Sequence, residues 1–278
     1  MIRALRHGLL DMLPGPLAGQ LRTWWLRRLI RRFSARVVTR TYGAGSLRVH
    51  VGDPLAEGWY DHDWDELPEI AALRQTRLRP GALVFDLGAH QGVVAMMLAR
   101  EVGPAGRVVA VEPNPHNAAA ARRNCGLNAV AHLEVVEAAV SDRAGSVVFN
   151  EGLNGRIDDG TGAGGRRVVA ATTLDDLMGR FGAPDVVFID VEGAECLALA
   201  GGGAAVESGA DFFVEVHVGC GLEMLGGSVE RVLAYFPEDR FTRLVRAEAD
   251  AVFRPVLSGD PLLADRFFLL ALARGRLG

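Results

Sequence analysis

Acidic side chains follow several apolar runs in the middle of the chain, each at the point where a run ends. The runs are short and rich in β-branched residues, as strands buried in a sheet are. The acids and one histidine in these positions are Asp86, Glu112, Glu137, Asp190 with Glu192, and Glu215 with His217. Carboxylates can bind ammonium and ribose hydroxyl groups, and a carboxylate or an imidazole can take a proton from a hydroxyl. The pattern therefore predicts a polar ligand and proton transfer at one edge of a sheet.

The first of these acids, Asp86, opens a glycine turn between a predicted strand and a predicted helix. Gly88 and Gly92 in this turn form G-x-x-x-G, so the G-x-G-x-x-G pattern of dinucleotide-binding proteins is absent. An acid at this position would repel a pyrophosphate but attract an amine. The glycines let the backbone approach a ligand, and the N-terminus of the following helix can accept a carboxylate. These features favour an adenosyl amino acid, S-adenosylmethionine, as the cofactor.

The next two acids extend the predicted cofactor site. Glu112 follows Asp86 by 26 residues and can accept hydrogen bonds from both hydroxyls of a ribose. Glu137 and Ala138 end the third strand, where the edge of an adenine would lie. The candidate cofactor-binding residues are Asp86, Gly88, Ala89, His90, Gly92, Glu112, Asn114, Glu137, Ala138 and Asp190. Each acid alone could cap a helix or a turn, so it is their recurrence that predicts a binding site.

The candidate catalytic residues are His217, Asp190 and Glu215. In extended backbone, residues two apart project to the same side, so Asp190 with Glu192 and Glu215 with His217 would face a methyl acceptor together. His217 is the best general base by its intrinsic pKa, with Asp190 and Glu215 as alternatives. Two other roles stay open. The group could bind a divalent metal, which is less favoured, or Glu215 and His217 could only hydrogen-bond each other.

The elements that would carry these side chains alternate between strand and helix, which predicts an α/β fold with a parallel, doubly wound, Rossmann-like sheet. Two short β-like runs at 147–149 and 167–170 flank a glycine-rich loop at 150–166, which is expected to be mobile. The predicted strands are 83–87, 107–112, 132–137, 185–190, 211–217 and 266–270. The predicted helices are 66–78, 92–101, 116–125, 173–178, one that follows residue 195 and ends at Gly201, and 229–236.

Residues 1–65 are predicted to form an N-terminal extension, and residues 66–278 the main domain. The first 40 residues are rich in Arg, and apolar residues recur at helical spacing between Leu21 and Phe33. This pattern predicts a basic amphipathic helix. Such a helix could lie on an anionic membrane, or it could pack on its own domain or a partner subunit, which is favoured. A short hairpin should follow between Arg36 and Val51.

Composition narrows the classes of function. The chain of 278 residues has a formal net charge of −4, which gives no general attraction to nucleic acid. All 30 basic residues are Arg, so chemistry that needs a lysine is excluded. The three cysteines contain no C-x-x-C and indicate neither a disulfide framework nor a zinc site, which fits a reducing cytoplasm. No apolar run is long enough to span a membrane.

Several motifs together resemble the FkbM-type S-adenosylmethionine-dependent methyltransferases over residues 66–220. They are VFDLGAHQG (84–92), VEPNP (111–115), AVSD (139–142), TLDD (173–176), IDVEGAE (189–195) and EVH (215–217). The resemblance implies a class I methyltransferase fold with a late antiparallel strand, and O-methylation of a hydroxyl on a sugar, glycan or polyketide-type small molecule. Two positions depart from the family, Phe188 for a common Lys and His90 for a usual Asn. The alternative function is a module that binds the cofactor but is catalytically silent.

Overall fold

Helices and strands alternate through the middle of the chain, as predicted. The computed structural model describes residues 15–158, 165–257, 259–261 and 263–275. Within them the helices are Gly15–Arg32 (α1), Pro54–Tyr60 (α2), Pro68–Leu73 (α3), Val93–Val102 (α4), Pro115–Leu127 (α5), Leu174–Phe181 (α6), Glu195–Ala200 (α7), Gly203–Glu207 (α8) and Val229–Ala234 (α9). The strands are Arg36–Tyr42 (β1), Gly45–Val51 (β2), Leu83–Leu87 (β3), Arg107–Val111 (β4), Leu133–Val136 (β5), Ala139–Val140 (β6), Gly145–Glu151 (β7), Arg156–Ile157 (β8), Gly165–Thr172 (β9), Val186–Ile189 (β10), Asp211–Val216 (β11), Phe241–Ala247 (β12), Arg254–Pro255 (β13) and Phe267–Ala273 (β14).

The central sheet has the strand order β13-β12-β14-β11-β10-β3-β4-β5 in the described part of the chain. Strands β3, β4, β5, β10 and β11 pair in parallel, and β14 pairs antiparallel with β11. This order confirms the predicted doubly wound α/β sheet, which is mostly parallel with a late antiparallel strand. The order reverses between β3 and β10, and ligands of such sheets bind beyond the strand ends at the reversal.

Two strands at the edge of the sheet, β12 and β13, are missing from the sequence prediction. β12 pairs antiparallel with β14, but Arg243 and Arg246 interrupt its apolar residues. These side chains are only 8% and 7% exposed, because carboxylates of Glu238 and Glu69 pair with their guanidinium groups. Apolar periodicity does not detect a strand whose buried positions are charged.

Apolar side chains of neighbouring residues cover the two faces of the sheet in alternation, as the period of a strand requires. Val84 and Phe188 belong to one cluster together with Met96 of α4, whereas Phe85 and Ile189 belong to the other. Phe188 stacks on the ring of Phe213 at a centroid distance of 4.0 Å. The position that departs from the common Lys is therefore a core position.

The predicted hairpin is confirmed by β1 and β2, which pair antiparallel from Arg36 with Val51 to Tyr42 with Gly45. Its side chains Tyr42, Leu47 and Val49 are buried in the same cluster as Met96. Residues before position 65 thus share a core with the central sheet. The domain boundary at residue 65 stays a prediction.

Helix α1 confirms the predicted helical extension and packs against β9. Leu26 and Ile30 are half-buried on the packed side, while Trp24, Trp25 and Leu29 are 48%, 41% and 47% exposed. What meets this exposed side, whether an anionic membrane or a partner subunit, stays a prediction. None of the helices in the described residues is long and apolar enough to cross a bilayer.

A second sheet, with the order β6-β9-β7-β8, follows β5 in the chain. Strands β7 and β9 confirm the two predicted β-like runs. The turn after β7 is fastened to α5, since the side-chain amides of Asn114 and Asn117 donate to the carbonyls of Gly152 and Leu153 at 2.8 and 2.9 Å. The glycine-rich loop that is predicted to be mobile spans residues 150–166, of which 159–164 lie outside the described residues. Its mobility stays a prediction.

Candidate active site

An open cleft of about 600 Å³ lies beyond the carboxyl ends of β3, β4 and β10, at the reversal of strand order. Five predicted cofactor residues line it, together with aromatic and polar side chains of the extension and the second sheet. The lining includes Gly88, His90, Glu112, Ala138, Asp190, Glu192, Trp59, Phe149 and Asn154.

The glycine turn is locked against the end of β10. Gly88 has a φ of +91°, and a Cβ at this position would lie 1.7 Å from the carbonyl oxygen of Asp190. The backbone N–H of Asp190 donates to the carbonyl of Leu87 at 2.9 Å. Gly92, with a φ of +78°, lies against Ala121 of α5 and does not line the cleft. Only glycine fits at Gly88, because both its φ and the approach of β10 exclude a side chain.

Asp86 lies at the end of β3 as a buried carboxyl group outside the cleft lining. The side chain is 3% exposed, and Oδ2 has no hydrogen-bond partner among the described residues. Burial raises the pKa of Asp86 to about 7. A buried carboxyl oxygen without a donor is costly, so it fits a site where a cation or a proton completes the group.

Glu112 is held rigidly at the rim of the cleft. Its Oε2 accepts the backbone N–H of His90 at 2.9 Å, and its Oε1 accepts that of Asn114 at 2.8 Å. Burial raises the pKa of Glu112 to about 8, although these two hydrogen bonds oppose the rise. Each carboxylate oxygen keeps a lone pair, so the group can still accept hydrogen bonds from a ribose.

His90 connects the glycine turn to the N-terminal extension. Its Nδ1 lies 2.7 Å from the Tyr60 hydroxyl and its Nε2 lies 3.0 Å from the carbonyl oxygen of Leu153. Because a carbonyl only accepts, Nε2 carries the hydrogen and Nδ1 accepts from the tyrosine. Burial lowers the pKa of His90 to about 4, so the ring is neutral at pH 7. Trp59 packs on it at a centroid distance of 5.0 Å.

Three predicted cofactor residues have other surroundings. Glu137 is exposed, does not line the cleft, and pairs with Arg122 of α5 at 3.0 Å. Asn114 is the N-cap of α5, directly before Pro115, and its side chain accepts the N–H of His116. Ala89 is buried and its N–H donates to the carbonyl of Val111. Ala138, by contrast, lines the cleft.

The predicted acceptor-side residues meet around the imidazole of His217. Its Nε2 lies 3.6 Å from a carboxylate oxygen of each of Asp190, Glu192 and Glu215. These separations are too long for hydrogen bonds. The close partner is instead Glu195 of α7, whose Oε1 lies 2.8 Å from Nδ1. The alternative in which Glu215 and His217 bond each other therefore does not describe this geometry.

Glu195 fixes a hydrogen on Nδ1 of His217. Its Oε1 also accepts the backbone N–H of Gly193 at 2.9 Å, so this oxygen is an acceptor and Nδ1 is the donor. Nε2 then faces the three other carboxylates. His217 is 2% exposed, and its Nε2 has no hydrogen-bond partner among the described residues.

The carboxylates around His217 perturb one another. Burial lowers the pKa of His217, but the hydrogen bond and charge of Glu195 and the charges of Asp190 and Glu192 outweigh it and raise the pKa to about 9. Burial of its Oδ1 and the charge of Glu215 raise the pKa of Asp190, although its side chain is 42% exposed toward the cleft. Burial also raises the pKa of Glu215. The acids and the imidazole at this end of the cleft thus shift one another's pKa.

Sequence reasoning missed several residues of the cleft. Trp59 and Tyr60 come from helix α2, and Asn154, whose amide donates to Glu192 at 2.6 Å, comes from the turn after β7. The aromatic cluster at 59–64 was a signal for the first two. Asn154 carries no sequence signal, because the turn between β7 and β8 that contains it is held at the cleft by tertiary contacts, among them the hydrogen bonds from Asn114 and Asn117.

A family model described as the Methyltransferase FkbM domain matches residues 86–240, more than half of the chain. The chain belongs to the FkbM methyltransferase family. This match confirms the resemblance carried by the turn at 84–92 and the motif at 189–195, which supply Gly88, Asp190 and Glu192 to the cleft. No curated protein sequence matches the chain.

Solved structures similar to this FkbM-family chain have low sequence identity. Methyltransferase FkbM from Methylobacillus flagellatus KT is 17% identical with a TM-score of 0.45, covering 68% of this chain and 43% of that one. A SAM-dependent O-methyltransferase from Thermotoga maritima is 16% identical with a TM-score of 0.45, covering 86% and 78%. An rRNA methylase from Streptococcus thermophilus is 10% identical with a TM-score of 0.46, covering 74% and 93%. These likenesses concern the fold alone.

As an FkbM-family protein, the chain is an S-adenosylmethionine-dependent methyltransferase with the class I fold. The residues present fit this cofactor. Asp86 offers a buried carboxyl oxygen without a partner, and Glu112 presents a fixed carboxylate in the cleft. His90 stands where the family usually has Asn. The hydrogen bonds of its ring with Tyr60 and Leu153 hold the glycine turn in place.

Proposed function

We propose that this FkbM-family protein transfers a methyl group from S-adenosylmethionine to a hydroxyl oxygen of a small molecule or glycan. The observation that carries the proposal is the juxtaposition, in one cleft, of Glu112 with Asp190 and Glu192. Glu112 is suited to bind a ribose. Asp190 and Glu192 supply acids beside the buried imidazole of His217. A hydroxyl acceptor must lose its proton, so it needs such groups. The net charge of −4 supports a small acceptor over a nucleic acid.

The cofactor side of the cleft is assigned to the glycine turn and the strands beside it. Glu112 would accept the ribose hydroxyls, and Ala138 with its neighbours would border the adenine. Asp86 would compensate the ammonium charge from beneath the turn. Its pKa of about 7 in the absence of a cation would then fall, since a nearby positive charge favours the carboxylate.

S-adenosylmethionine, when bound, supplies an electrophilic methyl carbon on a sulfonium group. The task of the chain is to align an acceptor oxygen with that carbon and to promote loss of its proton. Asp190 and Glu192 are 42% and 30% exposed, so they can touch the acceptor, whereas His217 is 2% exposed and acts from behind them. We assign acceptor contact to Asp190, with His217 and Glu215 supporting it.

Calorimetry with S-adenosylmethionine tests the cofactor assignment. Glu112→Gln places an amide N–H₂ against a backbone N–H, so it should weaken binding about tenfold or more, as expected for loss of a charged hydrogen bond. Glu207→Gln, an exposed acid of α8, should bind as the wild type does. Circular dichroism shows whether each variant is folded. Equal affinities of all three proteins would contradict the assignment.

Turnover tests the reaction itself. The protein is incubated with S-adenosylmethionine and whole-cell extract of the organism that carries the gene, and S-adenosylhomocysteine is measured. The new methyl group is then located by NMR, where a methyl ether is expected. Methylation on nitrogen, carbon or RNA would contradict the proposal. Tight cofactor binding without S-adenosylhomocysteine in any extract would support the catalytically silent alternative.

A further inference from the structure

We propose that Asp190, Glu192 and His217 form a binding site for one divalent cation, at which the acceptor hydroxyl is held. The proposal rests on the proposed function and gives its acceptor-side cluster a chemical role. One ligand atom from each of the three residues lies within 4.8 Å of the others, on the side of the cleft next to the glycine turn. The three atoms belong to two carboxylates and one imidazole, which are common ligands of divalent metals.

The imidazole provides an observation independent of the acids. His217 is 98% buried, and its Nε2 points at the carboxylates from 3.6 Å with no hydrogen-bond partner among the described residues. Two ligands of one ion at about 2.0–2.2 Å in a tetrahedral arrangement stand roughly 3.3–3.6 Å apart. The separation of Nε2 from each oxygen therefore suits an intervening ion better than it suits a hydrogen bond.

Glu195 and Asn154 hold two of the proposed ligands in place, as residues around a metal site do. Glu195 accepts a hydrogen bond from Nδ1 at 2.8 Å and is fully buried, so Nε2 is the nitrogen left for an ion. Metal-bound histidines commonly donate their second N–H to a carboxylate in this way. Asn154 holds Glu192 by donating to its Oε1, while Oε2 faces the imidazole.

Glu215 is distinguished from the ligands by its partner. Arg266 lies 3.0 Å from the Glu215 oxygen that faces His217, so its charge is already compensated. Asp190 and Glu192 have no arginine partner among the described ion pairs, and both open into the cleft. Two acids and one imidazole leave the fourth position of such a tetrahedral site for an acceptor oxygen.

The chemistry of such an ion is that of a Lewis acid. A hydroxyl oxygen bound to it loses its proton more readily, and the proton passes to water in the open cleft. The oxygen lone pair then forms the C–O bond to the methyl carbon while the C–S bond breaks, and its electron pair returns to sulfur. The products are a methyl ether, S-adenosylhomocysteine and one proton, so atoms and charge balance.

Titration of metal-free protein with Mn²⁺, followed by the electron paramagnetic resonance signal of the free ion, tests the site. Wild type should bind one ion per chain. Asp190→Asn and Glu192→Gln, which change partly exposed side chains, should bind it at least about tenfold more weakly, while Glu207→Gln should bind it unchanged. Circular dichroism checks the folding of the two variants.

No binding by folded wild-type protein at millimolar Mn²⁺ would overturn the proposal, as would equal affinities of wild type and both ligand variants. The titration uses protein without cofactor or acceptor, so its result is independent of methyl transfer. Failure of the proposed function would appear separately, as absent S-adenosylmethionine binding or absent S-adenosylhomocysteine formation. Once an acceptor is found, a chelator should lower turnover at least about tenfold and leave cofactor affinity unchanged.

Discussion

The substitution Gly88→Ala should break the contact between the glycine turn after β3 and the backbone of Asp190 after β10. The added Cβ would lie 1.7 Å from the carbonyl oxygen of Asp190, and real Cβ atoms essentially never come closer than 3.0 Å to such an atom. The ends of β3 and β10 must therefore part by at least 1.3 Å. Neither side can yield by rotating a side chain, because both contacts involve backbone.

Gly81→Ala is a matched control for this change. Gly81 has a φ of +90°, almost equal to the +91° of Gly88, but a Cβ there would meet no atom within 4 Å. The control should lose only the backbone term of about 1–2 kcal/mol for a non-glycine residue at positive φ. Gly88→Ala adds a collision that typically costs about 1–3 kcal/mol or more. The free energy of unfolding of Gly88→Ala should thus be lower than that of the control.

Urea unfolding of both variants measures this difference, and calorimetry with S-adenosylmethionine measures the consequence for the site. A displacement of about 1 Å can lower a rate about 100-fold, so S-adenosylhomocysteine formation by Gly88→Ala should fall by that order while Gly81→Ala stays near wild type. If Gly88→Ala matched the control in stability, cofactor affinity and rate, the close contact of the two backbones would be refuted.

Three further changes test other contacts. Tyr60→Phe removes the donor to the buried Nδ1 of His90, so urea unfolding should show a loss of about 1–3 kcal/mol; an unchanged free energy of unfolding would contradict the assigned tautomer. Because the pKa of Asp86 is about 7 when folded and about 4 when unfolded, the folded state keeps its proton longer, and stability should fall from pH 4 to pH 7 by up to roughly 4 kcal/mol. Asp86→Asn should flatten this slope, and an equal slope in both proteins would contradict the burial of the carboxyl. Glu195→Gln should weaken Mn²⁺ binding about 10–100-fold and leave S-adenosylmethionine affinity unchanged, and a parallel loss of both would indicate a general structural role.

The sequence predicts the central sheet well, because its buried strands are apolar and end in acids. The residues at 186–189 form an apolar run followed by Asp190, and the structure places that aspartate in the cleft. The prediction fails where a buried position of a strand carries a charged side chain, and where an acid that follows a strand is exposed. β12 contains Arg243 and Arg246 at buried positions, and Glu137 ends a strand yet is exposed beside Arg122.

The partner of His217 illustrates a second limit of sequence reasoning. Alternation along β11 places Glu215 and His217 on one side, so spacing offers Glu215 as a candidate hydrogen-bond partner of His217. The hydrogen bond goes instead to Glu195, which begins the helix after a neighbouring strand. Such a pairing depends on the turn at Gly193, where a φ of +100° and the approach of Gly221 admit only glycine. The motif at 189–195 contains these residues, but spacing alone does not reveal which of them touch.

In the proposed assignment of the site, the reversal of strand order lets one short motif serve both reactants. The carbonyl of Asp190 packs on Gly88 and its N–H donates to Leu87, so its backbone belongs to the cofactor turn. Its side chain points to His217 on the acceptor side. Methyl transfer requires an acceptor oxygen in line with the sulfur–carbon bond, and a misplacement of about 1 Å is costly. A single residue that contacts the turn through its backbone and the acceptor cluster through its carboxylate fixes the distance between the two, which no pair of residues on separate loops would do as rigidly.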